Sequence, residues 1–263
     1  MAVILPNLER YNTAERLRKR LGQHYSKDFL TLRAFNVSGW EDDFQGDLFR
    51  GGSAPGMYQS TPAGANSATA AISTGVVNGA ALLDAGDATA GRCDLSWGLH
   101  YQAQLNAVYI ARFSINTLTT RKFEIGFTDV ISGTDAGAVN AKAGNGTWRA
   151  DNACVLCYDT DDDTVLTLMG VKATTAATSA DFSTTLAAAT YYYFGVALNG
   201  NSDMAWGFLL DANGRKLEEE KITAPITVTT LLTPWLFVQN RAGNAGSMTL
   251  DWHRAYQWRT TAL

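Results

Sequence analysis

The sequence is poor in the residues that usually mark catalytic chemistry or cross-linking. Its 263 residues include three cysteines, at 93, 154 and 157, and three histidines, His24, His100 and His253. Three cysteines are an odd number and too sparse for a disulfide framework, which fits synthesis in a reducing compartment. Charged side chains are 17% of the chain against 46% hydrophobic ones, a globular balance with a lean surface charge. No run approaches the roughly 18–20 apolar residues of a membrane span, and the opening MAVIL is shorter than the apolar part of a secretory signal, so a soluble protein is expected. HExxH, GxSxG and a glycine-rich loop ending in G-K-[ST] are also missing, which removes the simplest metalloprotease, serine-hydrolase and phosphate-binding readings.

What charge there is lies unevenly. Residues 1–39 hold seven basic and three acidic side chains, a net +4, which leaves −8 on the rest of the chain. The segment from Asn12 to Tyr25 reads as a short helix: Thr13 is placed to cap it, Leu17 and Leu21 pair at i, i+4, and Gly22 stops it. So narrow an apolar stripe is marginal alone, and a docking role follows for the arm. The expected contacts are Leu17, Leu21, Phe29, Leu30, Leu32 and Phe35 against a neighbour, with Arg16, Arg18, Lys19 and Arg20 pairing with acidic groups. A +4 charge is too small to indicate nucleic acid.

After Gly39 the hydrophobic period becomes two. Phe123, Ile125 and Phe127 alternate in RKFEIGF; Tyr109, Phe113 and Ile115 fall together; so do Met204, Trp206, Phe208 and Leu210, and Met248, Leu250, Trp252, Tyr256 and Trp258. Between these runs stand turn signals such as DAGDATAG, AGNG and RAGNAG. The clearest hairpin is DANG at 211–214, whose second strand, RKLEEEK, is charged as an edge strand should be. Roughly a dozen short strands without a helix predict an all-β, antiparallel two-sheet sandwich over 39–263, preceded by the basic arm at 1–38.

Several segments resemble successive parts of the concanavalin A-like lectin/glucanase jelly roll. They are WEDDFQG at 40–46, FEIGFTDVISG at 123–133, NACVLCYDTDDD at 152–163 and YYYFGVALNGNSDMAWGFLLDANGR at 191–215. With small-residue strands, few cysteines and a docking arm, the texture is also similar to structural proteins of tailed bacteriophages. The resemblance implies a non-enzymatic virion protein, a capsid decoration, head-fibre or tail component made in the host cytoplasm. It would be attached to other virion proteins through the arm and self-associate as a trimer. The alternative it implies is a lectin-like module that binds a host-surface glycan, with the aromatics Trp148 and Tyr192 as contacts.

The resemblance also sets a test for hydrolysis. A glucanase of this kind needs Glu-x-Asp-x-Glu on one strand face, and neither Glu41-Asp42-Asp43 nor Glu218-Glu219-Glu220 supplies it. Among cations, Asp159, Asp161 and Asp163 have the 1, 3, 5 spacing of a calcium loop; the sixth and twelfth positions, Thr164 and Gly170, exclude an EF-hand and leave these three as candidates for a calcium site of another kind on the turn. On a strand, Cys154 and Cys157 project to opposite faces, so CxxC here reads as two buried thiols and not as a zinc or redox pair.

Overall fold

The structure is a computed structural model that describes residues 37–44, 58–64, 68–73, 79–131, 137–200 and 203–258. The expected arm contacts, Arg16, Leu17, Arg18, Lys19, Arg20, Leu21, Phe29, Leu30, Leu32 and Phe35, lie outside the described residues. In chain order the strands are β1 (Val37–Asp42), β2 (Thr69–Ile72), β3 (Ala81–Asp84), β4 (Arg92–Ser96), β5 (Val108–Ile115), β6 (Arg121–Thr128), β7 (Val139–Ala141), β8 (Thr147–Trp148) and β9 (Ala153–Asp159). They continue as β10 (Thr167–Lys172), β11 (Thr175–Ala176), β12 (Ala180–Asp181), β13 (Tyr192–Asn199), β14 (Met204–Leu210), β15 (Lys216–Thr223), β16 (Thr233–Asn240) and β17 (Ser247–Trp258). Among the described residues a 3-10 turn, Ala103–Leu105, lies between β4 and β5. Among the described residues no helix is long and apolar enough to cross a membrane.

Two antiparallel sheets face each other. The first runs β15-β14-β13-β5-β17-β3-β2, with β1 also paired to β17; the second runs β11-β10-β9-β6-β16-β4, with β12 on β10. Period-two alternation fills the space between them. Leu83, Tyr109, Phe113, Phe194, Leu209 and Met248 from the first sheet meet Phe123, Ile125, Phe127, Leu156, Leu168 and Leu236 from the second. Phe113 stacks on Phe194 at 4.3 Å and meets Phe123 edge-on across the core at 5.7 Å. The DANG hairpin forms as expected: Asp211 accepts from the backbone N–H of Asn213 and Arg215 at 2.9 Å, and β15 ends the sheet.

Met204, Trp206, Phe208 and Leu210 share one face of β14 as expected; it is the outer face, with Met204 and Trp206 half-buried, while Ala205 and Leu209 enter the core. One strand expectation is corrected. In β17 the register against β5 slips between Leu250 and Trp252. This bulge at Asp251 reverses the parity. Met248 and Leu250 point inward as expected, but beyond the bulge it is His253, Ala255 and Gln257 that are buried, and Trp252, Tyr256 and Trp258 that face outward.

Candidate functional site

A sandwich has two outer faces on which a ligand could be held, and here they differ. On the second sheet, Val155, Cys157, Met169, Val171, Trp235 and Phe237 project outward but are covered by Ala138, Val139 and Ala150 from the segment around the β7–β8 hairpin. Beneath that cover lie Lys122 and Glu124, both fully buried and 2.8 Å apart. Glu124 accepts from the Trp235 indole N–H at 2.8 Å and from the backbone N–H of Ala138 and Val139 at 2.8 and 3.1 Å. Lys122 donates to the Val139 carbonyl. The carboxylate is fully occupied in fastening the hairpin.

Cys154 enters the inter-sheet core and Cys157 the covered cluster, so the thiols diverge as expected of a strand. Burial raises the pKa of both and pushes that of Cys93 up to about 12. All three are buried free thiols, unreactive at neutral pH.

The aspartates at the end of β9 and in the turn after it are bound to the chain's own cations. Arg241 donates through Nε to Asp159 Oδ1 at 2.7 Å and through its terminal nitrogen to Oδ2, and its Nε lies 3.4 Å from Asp161. Burial works against the Arg241 charge, but the hydrogen bond and attraction to Asp159 outweigh it and hold its pKa above the ordinary value. Asp163 pairs with Lys142 and accepts from Val165 N–H at 2.8 Å. The calcium candidates Asp159, Asp161 and Asp163 are thus split between two ion pairs, and no cluster of three ligating side chains occurs among the described residues.

Among the described residues the histidines carry no nucleophilic arrangement. His24 lies outside the described residues and His100 is exposed. His253 is fully buried against Phe44, which stacks on it at 5.3 Å, and Trp97, which meets it edge-on at 4.8 Å. Tyr58 donates its hydroxyl proton to Asp42 at 2.5 Å, so its oxygen must accept from His253 Nε2 at 2.9 Å. The imidazole is therefore the Nε2–H tautomer, and its Nδ1 has no partner among the described residues.

The outer face of the first sheet is different in kind. Registers across β13, β5 and β17 align Tyr193 with Arg112 and Arg112 with Trp252. The Tyr193 and Trp252 rings lie 6.1 Å apart. The Arg112 guanidinium sits over the Tyr191 ring at 4.4 Å and near the Tyr193 ring at 5.8 Å, and pairs with Asp251 at 2.5 Å. On the far side of Trp252, Arg254 lies over the Tyr256 ring at 5.3 Å and 3.8 Å from Glu41 on β1. Glu41 also accepts from the Trp252 indole N–H at 2.9 Å. Rings and charged groups alike are half-buried, so each keeps a solvent-facing portion.

The aromatics singled out from sequence take other places. Trp148 donates its indole N–H to the Asn145 carbonyl at 3.1 Å and packs on the covered cluster. Tyr192 packs against the inter-sheet core, and its hydroxyl accepts from Ala187 N–H at 3.2 Å. Neither joins the Trp252 platform. The platform escaped sequence reading because an uninterrupted alternation places Trp252 in the core; the alternation of Tyr191 and Tyr193 about Tyr192 was the available signal.

No protein-family model matches the chain, and no curated protein sequence does. Among solved structures, a protein of unknown function from Shewanella oneidensis MR-1 is similar over 90% of this chain and 96% of its own, with a TM-score of 0.61 and 13% identity. Peanut lectin, solved with a nine-residue peptide, is similar over 86% and 99%, with a TM-score of 0.54 and 8% identity. Lectin I from Ulex europaeus, solved with the methyl glycoside of α-L-fucose, is similar over 85% and 99%, with a TM-score of 0.53 and 8% identity. At these identities the likeness establishes the fold: the chain is a concanavalin A-like jelly roll.

Proposed function

We propose that the protein is a non-catalytic, lectin-like module that binds glycans on the outer face of the first sheet. The observation that carries this reading is the Trp252 platform, two neighbouring rings flanked by the Arg112–Asp251 and Arg254–Glu41 pairs. A pyranose presents a C–H face that packs on an aromatic ring, and hydroxyls at its rim that need donors and acceptors together. Trp252 and Tyr193 supply the first, and the ion pairs supply the second. The lectin-like fold supports the same reading, as does the engagement of Glu124, the buried carboxylate beneath the hairpin of the second sheet, by Lys122 and three N–H donors.

The test is glycan-array screening of the full chain beside Trp252→Ala. Binding that falls by at least about tenfold in the variant, a loss of roughly 1.4 kcal/mol, supports the platform. Equal binding by both proteins, with the variant folded, moves the site elsewhere. Attachment to a virus particle through residues 1–38 is a separate proposal, since it assigns function to the arm and leaves the platform without a role.

A further inference from the structure

We infer that the platform selects neutral sugars over acidic ones; this rests on the glycan-binding reading and adds its ligand class. Both arginines that could hold a carboxylate or sulfate are already matched by an acid: Arg112 by Asp251 at 2.5 Å and Arg254 by Glu41 at 3.8 Å. The four side chains are only about a fifth to a third exposed, with 21% and 29% for the first pair and 20% and 22% for the second. Each guanidinium also lies over a tyrosine ring, Arg112 over Tyr191 and Arg254 over Tyr256, which fixes its plane and leaves its rim N–H groups as directional donors. The local charge is therefore balanced. An incoming anion meets the carboxylates of Asp251 and Glu41 as closely as the cations, and gains nothing from the field. A hydroxyl pair can donate to a carboxylate and accept from the adjacent guanidinium without disturbing either ion pair.

The bulge at Asp251 is part of this design. It turns Trp252 outward and leaves Asp251 beside it, so that the ring and a carboxylate of the same strand serve one surface. A regular strand would place Trp252 and Asp251 on opposite faces.

The experiment measures binding of the full chain to matched pairs: cellohexaose and sulfated cellohexaose, maltohexaose and sulfated maltohexaose, N-acetyllactosamine and its 3′-sialylated form, each at low and high sodium chloride. The expected result is that at least one neutral member binds, that its acidic counterpart binds at least about tenfold more weakly, and that salt changes neutral binding little. Preference for the acidic members, weakening with salt, would overturn the inference while leaving glycan binding intact. Asp251→Asn gives a second measure, since it frees the Arg112 charge: it is expected to raise affinity for the acidic member relative to the neutral one, and an unchanged ratio counts against the role given to the ion pairs. Binding to none of the six would overturn the glycan reading itself.

Discussion

His253 shows how one residue sets a solution property of the whole fold. Complete burial lowers its pKa from 6.5 to about 3, while an unfolded chain still takes up a proton near the ordinary value. Between those values the unfolded state binds one more proton than the folded state. Stability therefore falls as pH falls from 6.5 toward 3, by about 1.4 kcal/mol per pH unit from this residue alone. Urea unfolding between pH 6.5 and 4 is expected to show a pH slope shallower by about one proton in His253→Phe than in the wild type. Identical slopes would mean that His253 is not held neutral. The sequence alone places this imidazole opposite Trp252, and that relation holds. It does not reveal which of the two is inside, because the deciding event is a one-residue slip against β5. The thiols were legible for the opposite reason: β9 is regular over its whole length, so alternation carries Cys154 and Cys157 to opposite faces without ambiguity.

At the scale of elements, two buried ion pairs add side-chain ties to the backbone ladders. Arg241, just beyond β16, grips the Asp159 carboxylate at the end of β9, with Asp159 1% exposed. Arg241→Ala would leave that carboxylate buried without a cation, and a loss of about 3–5 kcal/mol in denaturant unfolding is expected. Because the positive charge is built into the chain, the wild-type melting temperature should not move with millimolar calcium or chelator; a clear upward shift with calcium would show that the turn takes a metal as well. The Lys122–Glu124 pair does similar work under the β7–β8 hairpin. Glu124→Ala leaves the buried Lys122 ammonium without its anion and the Trp235 indole N–H without its acceptor, so about 3–5 kcal/mol should again be lost, whereas replacing both partners by Lys122→Met and Glu124→Leu should lose less. A double-mutant cycle measures the difference, and additive losses would contradict the coupling. The inward face of β6 was readable from Phe123, Ile125 and Phe127. The burial of Lys122 and Glu124 was not, since charges at alternate positions have the pattern of a solvated face until another segment is laid over them.

At the scale of the molecule, the sandwich is legible because it is built from many independent repetitions of one signal, alternation bounded by turn residues, and a local slip in β17 leaves the others intact. A surface site has no such redundancy: it depends on which few side chains a bulge, a hairpin and a neighbouring strand bring together. The same distinction separates the two functional readings. β1 begins at Val37, pairs with β17 through Asp42, and leads into Phe44, which stacks on His253. A chain starting at residue 37 keeps these contacts and is expected to unfold cooperatively. One starting at residue 45 loses β1, the Asp42 acceptor of Tyr58 and the Phe44 ring, and should be markedly less stable. If function resides in the platform, the 37–263 chain retains glycan binding with Glu41 in place beside Trp252. If it resides in the arm, that chain folds and has lost its activity. Calorimetry of the two truncations, followed by glycan binding by the longer one, separates a binding surface carried by the sheet from an attachment carried by the arm, of which the longer truncation keeps only residues 37 and 38.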